Sequence, residues 1–93
     1  MSSAPHDDRT QTVVRVGGEI DLNSSRDFGT QLERAISDGA QTVIVDLTGV
    51  AFMDSAGVNT ILNARALAER LGARLVLRRP DGEAGRILDI FGL

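Results

Sequence analysis

Residues Val43 to Val50 read VIVDLTGV, and Ala51 to Asn59 continue as AFMDSAGVN. Val43, Ile44 and Val45 form a run that is apolar on both faces, which suits a central strand covered by helices on each side. Beyond it, TILNARALAERL has helical spacing. A helix from about Ser55 to Leu71 puts Ile61, Ala64, Ala68 and Leu71 on one stripe, with Val58 and Leu62 beside it. The strand therefore empties, through a loop carrying Phe52 and Met53, into Asp54-Ser55-Ala56-Gly57 at a helix start. An ordinary helix start needs only one capping side chain. This one offers two, followed by two very small residues.

The flanking sequence extends the same alternation. TVVRV from Thr12 is strand-like and resumes after Gly17-Gly18 as EIDL, giving one bent strand or two short ones. Ser24 and Ser25 can cap a helix whose inner face is Phe28, Leu32, Ala35 and Ile36, and Gly39 ends it. After the Ser55 helix, Gly72 is the stop, ARLVLRR is a strand and Pro80-Asp81-Gly82 is a turn. EAGRILDIFGL then places Ala84, Ile87, Leu88 and Phe91 on a helical face. Strand, helix, strand, helix, strand, helix predicts an α/β domain with a largely parallel central sheet over residues 12–93, preceded by a polar, flexible tail at 1–11.

Composition removes several classes of function. The net charge is −3, and there are three Phe but no Tyr or Trp, so neither the basic excess nor the stacking aromatics of nucleic-acid binders are present. No apolar run approaches the roughly 20 residues that cross a membrane. MSSAPHDDRT lacks the cationic start and apolar centre of a signal peptide, so a soluble, cytoplasmic protein is expected. With no Cys and only His6, disulfides, thiolate zinc sites and histidine metal clusters are ruled out, and no cofactor is expected.

The chemistry then gathers at the carboxyl ends of the strands, where open α/β sheets collect their functional groups. GEIDLNSS supplies Glu19, Asp21 and Asn23 there, and the second strand supplies Asp54 and Ser55. If the two strands are parallel neighbours, Asp21, Asn23, Asp54 and Ser55 share one patch. Ser55 has two readings. It is a helix cap, or it is a phosphate acceptor at a helix N-terminus whose free N–H groups and dipole favour an anion. Ala56 and Gly57 would let another protein approach the hydroxyl, and Gly57 in a helix costs up to about 1 kcal/mol relative to Ala. Serine catalysis is improbable, since it requires a base and DSAG is not a nucleophile elbow. Glu19, Asp21 and Asp54 are loop and cap residues or a carboxylate set for glycosidic or Mg²⁺ chemistry, though so short a chain has little room for a deep cleft. Phe52 and Met53 are core or an exposed contact patch.

GEIDLNSS, VIVDLTGVAFMDSAGV and RLVLRRPDGEAGRILDIFGL, in that order, make the chain resemble the STAS domain family, and within it the bacterial anti-sigma factor antagonists. The resemblance implies a small, mostly parallel mixed sheet with helices. It also implies a further short first strand and a closing strand and helix, for which MSSAPHDDRT and the segment up to Leu93 offer no match. An uncovered sheet edge would leave pairing into a homodimer open. The function implied is partner switching without catalysis. The unphosphorylated protein binds an anti-sigma factor that is a serine kinase and frees a sigma factor; phosphorylation of Ser55 abolishes binding, and a phosphatase resets the cycle. Asp21, Asn23, Asp54, Gly57 and Asn59 would surround the docking surface. The alternative within the family is an accessory subunit of an ABC-type lipid transport system, and the intact Ser55 in its FMDSAG context favours the sigma pathway.

Overall fold

A computed structural model describes residues 11–93. The elements are β1 (Gln11–Ile20), α1 (Ser25–Ser37), β2 (Thr42–Met53), α2 (Ser55–Arg70), β3 (Arg74–Arg78) and α3 (Gly82–Ile90). The strands form a sheet in the order β1-β2-β3, parallel at both pairings. The chain expected as a tail lies outside the described residues apart from Gln11, which belongs to β1 and pairs with Thr42.

The helices form where the apolar period said they should. Phe28, Leu32, Ala35 and Ile36 of α1 are buried, as are Val58, Ile61, Ala64 and Ala68 of α2 and Ala84 and Leu88 of α3. Leu71 and Phe91, expected at the ends of the inner stripes of α2 and α3, are exposed instead. Each is the C-terminal cap, one residue past its helix, where the chain leaves the helical path. Gly39 and Gly72 terminate α1 and α2 with φ of 95° and 76°, the left-handed region that side chains with a Cβ resist.

Two expectations about β2 are corrected. The strand is longer than its apolar run suggests and extends to Met53, so Phe52 and Met53 are strand residues rather than loop residues. Register with β1 slips between Arg15 and Gly17 and again between Gly18 and Glu19, each time with one extra residue in β2. These bulges re-aim the side chains. Val43, Val45 and Leu47 point inward at every second position, and Val50 and Met53 then reach the core at spacings of three.

The helices also do not cover both faces. Val43, Val45 and Leu47 share one core with the apolar faces of all three helices, and Ile44 is absent from it. On the opposite face Val13, Ile44 and Val76 are register partners in one row, and both valines are 40% exposed. Beside that row, Asp46 lies 3.4 Å from Arg15 Nε and 3.7 Å from an Arg78 guanidinium nitrogen. Ile44 is only 8% exposed, yet among the described residues it lies outside the core that the three helices share.

Candidate functional site at the carboxyl ends of β1 and β2

The site is built by register. Ile20 pairs with Met53, the last residue of each strand, and the Asp54 amide donates to the Ile20 carbonyl at 3.1 Å. Neighbouring strands lie about 4.8 Å apart, so Asp21 and Asp54 leave the sheet side by side. The loops that the sequence expected to meet do meet.

Asp54 is the cap of α2. With extended backbone (φ −101°, ψ −174°), its carboxylate accepts the Ala56 amide at 2.9 Å and the Gly57 amide at 3.4 Å. Ser55 is therefore not needed as a cap. It is the first residue of the helix, it is exposed, and among the described residues its hydroxyl makes no hydrogen bond. Asn59, one turn on at i+4, is exposed along the same face. The vacant N–H cradle expected for a phosphate is absent, because Asp54 already occupies the Ala56 and Gly57 amides. Only Ser55's exposure and the helix dipole remain to favour an anion there.

Gly57 departs from the expected reason for its size. It is buried, and a Cβ on it would lie 2.7 Å from Met53 Cγ and 2.9 Å from Ile20 Cγ2. The close approach it permits is between α2 and the strand ends, inside the protein.

Asp21 organises the β1–α1 turn. Its Oδ1 accepts the Asn23 and Ser24 amides, each at 3.0 Å, and its own amide donates to Ser24 Oγ at 3.0 Å. Ser24, expected as a side-chain cap of α1, makes no capping bond and braces this turn instead. The Ser24 amide, first among several hydrogen bonds, holds the Asp21 carboxyl below its ordinary pKa, so it is charged at neutral pH. Asn23 is exposed at the tip of the turn, and Leu22, which sequence reasoning passed over, is 76% exposed beside it. The available signal was an apolar residue set between Asp21 and Asn23, at a place that helps neither strand nor helix.

Charge at this end is mainly acidic. Glu19, Asp21 and Asp54 are acidic, and no Lys or Arg occurs in residues 17–24 or 48–60. Among the described residues no three His, Cys, Asp or Glu cluster to hold a metal. A groove of about 620 Å³ runs between α1 and α2, lined in part by Arg26, Gly29, Glu33, Thr60 and Arg70, and none of the site residues lines it. Asp21, Asn23, Asp54, Ser55 and Asn59 make an open surface, not a pocket.

A family model described as "Mlab, STAS domain" matches residues 3–93. The chain belongs to the STAS domain family. This STAS domain is 30% identical over 86 residues to an anti-sigma F factor antagonist of Lysinibacillus sphaericus, covering 91% of this chain and 74% of the relative. It is 30% identical over 93 residues to an anti-sigma-B factor antagonist of Staphylococcus epidermidis, covering 100% and 84%. Among solved structures it resembles the unphosphorylated anti-sigma factor antagonist SpoIIAA, with a TM-score of 0.80, 27% identity and coverage of 91% and 75%. The Bacillus cell fate determinant SpoIIAA in its phosphorylated form matches with a TM-score of 0.72, 27% identity and coverage of 91% and 78%. The fold of this STAS domain is thus the α/β fold of an anti-sigma factor antagonist, and the two curated relatives named above are anti-sigma factor antagonists.

Proposed function

We propose that the protein is an anti-sigma factor antagonist acting in the cytoplasm by partner switching. Its unphosphorylated form binds an anti-sigma factor that is a serine kinase, and phosphorylation of Ser55 ends that binding until a phosphatase removes the group. The observation that carries this reading is the spare hydroxyl of Ser55: exposed, at a helix start, and relieved of capping duty by Asp54. The similarity to SpoIIAA, solved in unphosphorylated and phosphorylated forms, supports it.

The chemistry needs nothing from this chain beyond a presented oxygen. Ser55 Oγ attacks the γ-phosphorus of ATP on the kinase, the bond from that phosphorus to the β-phosphate oxygen breaks, ADP leaves, and the hydroxyl proton passes to a base on the kinase. Because the kinase must hold its nucleotide against Ser55, the phosphorylated product faces the phosphates of ADP. It also stands beside Asp54 and Asp21. Phosphoserine carries about −1.5 to −2 charges at neutral pH, and confining it in a close interface weakens binding by several kcal/mol. At about 1.4 kcal/mol per tenfold, that turns a tight complex into a weak one without any change of fold.

Incubation with the anti-sigma kinases of the source organism and ATP, followed by intact-mass spectrometry, tests the reading. One phosphate on the wild-type chain and none on Ser55→Ala is the expected result, with Ser55→Ala still bound by the kinase. A chain left unmodified by every such kinase, or one captured by an ABC ATPase instead, removes it.

A further inference from the structure

We propose that Leu22 is the apolar anchor through which the surface around Ser55 grips its partner, seated in an apolar pocket with a basic rim on the kinase. This deepens the function proposed above and rests on it. Leu22 is 76% exposed, whereas the nearby strand residues Ile20, Val50 and Met53 are buried and Phe52, at the end of β2, is 41% exposed.

A leucine left in water on a loose loop would mean little. This one is held. Asp21 Oδ1 accepts the two amides that follow Leu22, the Ser25 amide donates to the Asp21 carbonyl at 2.9 Å, and the Leu22 carbonyl accepts the Ser25 hydroxyl at 3.1 Å. The backbone on both sides of the side chain is fixed before any partner arrives, so docking spends little further ordering on it.

Its place is set by the same register that places Ser55. Leu22 lies two residues beyond Ile20, whose carbonyl holds the Asp54 amide next to Ser55. The acidic residues Glu19, Asp21 and Asp54 give this apolar point a mainly acidic rim, with Arg26 on the first turn of α1 the nearest basic residue in sequence. Protein interfaces are built with an apolar centre and a polar rim, and complementarity then asks for arginine or lysine opposite. A kinase that takes its substrate here meets both features together.

The test uses the full chain and the nucleotide-bound kinase that phosphorylates it. Leu22→Ala is expected to weaken binding by at least about tenfold and to raise KM for phosphorylation with kcat unchanged, while the thermal midpoint stays in place. Leu22→Met is expected to restore binding to within a few-fold. Ile90→Ala removes a side chain that is 77% exposed on α3, away from the turn, and is expected to change neither constant. Leu22→Ala bound as tightly as the unphosphorylated wild type overturns this inference alone. So does a wild-type dimer in sedimentation that Leu22→Ala dissolves, because Leu22 then serves a second copy. A wild-type chain that no kinase binds or modifies removes the functional reading and the anchor with it.

Discussion

The Asp54 amide donates to the Ile20 carbonyl at 3.1 Å, so the last bond of the β1–β2 pairing is also the first bond of the site. The same residue's carboxylate caps α2 through the Ala56 and Gly57 amides. Asp54→Ala keeps the backbone bond and loses the cap. The expected loss is about 1 kcal/mol, read as a lower urea midpoint at unchanged slope. Asp54→Asn, which retains an acceptor, should lose less. In Asp54→Ala the freed amides are open to an anion, so phosphorylation of Ser55 should stabilise that variant more than the wild type.

Gly57→Ala should destabilise the protein although alanine is the better helix former. The added carbon would stand 2.7 Å from Met53 Cγ and 2.9 Å from Ile20 Cγ2, and neither atom is the free end of a side chain that can swing away. Overpacking of this kind costs about 1–3 kcal/mol, against a helix gain of about 1 kcal/mol at most. Gly29→Ala is the matching control. Its carbon would meet only Thr60 Cγ2 at 3.4 Å, an ordinary contact, and it should be neutral or slightly stabilising. Thermal melts of both variants make the comparison.

How much of this was legible in the sequence depended on whether the local period matched the final packing. Phe28, Leu32 and Ile36 recur at helical spacing and are buried as that spacing predicts. The far half of β2 was not legible. Its bulges bring Leu47, Val50 and Met53 inward three residues apart, which breaks the two-residue period by which a strand is recognised. Val43-Ile44-Val45 suggested helices on both faces, but Ile44 lies in a row with Val13 and Val76, outside the core that the helices share. At the site, the meeting of Asp21 and Asp54 followed from parallel neighbouring strands. The internal role of Gly57 depends on which side chains pack under α2, and no spacing in the sequence encodes that.

On the open face of the sheet, Asp46 makes stability depend on pH in one direction. The Thr48 hydroxyl donates to its carboxylate at 2.7 Å and the Thr48 amide at 3.0 Å, and with Arg78 and Arg15 nearby the Asp46 carboxyl is held below its ordinary pKa. A carboxyl lowered in the folded state stabilises it above the unfolded-state pKa of about 3.9, and that contribution is lost as pH falls through the folded value. Thr48→Val removes the largest of these interactions. Its thermal midpoint should therefore lie below wild type at neutral pH, and the two curves should converge in acid. Raising the salt should trim the arginine share alone.

Asp21 combines a shape and a charge, and two substitutions separate them. Asp21→Asn keeps an oxygen that can accept the Asn23 and Ser24 amides, so the turn that presents Leu22 and Asn23 should survive with little change in the thermal midpoint. Asp21→Ala removes the acceptor and should loosen the turn. If the carboxylate also steers the partner, Asp21→Asn should slow association with the kinase and flatten its salt dependence while dissociation changes little. Asp21→Ala should speed dissociation as well, because the anchoring leucine is no longer held. Stopped-flow association at several ionic strengths, with dissociation followed by competition, distinguishes the two. Equal kinetics for Asp21→Asn and wild type would leave Asp21 with a purely architectural part in the surface around Ser55.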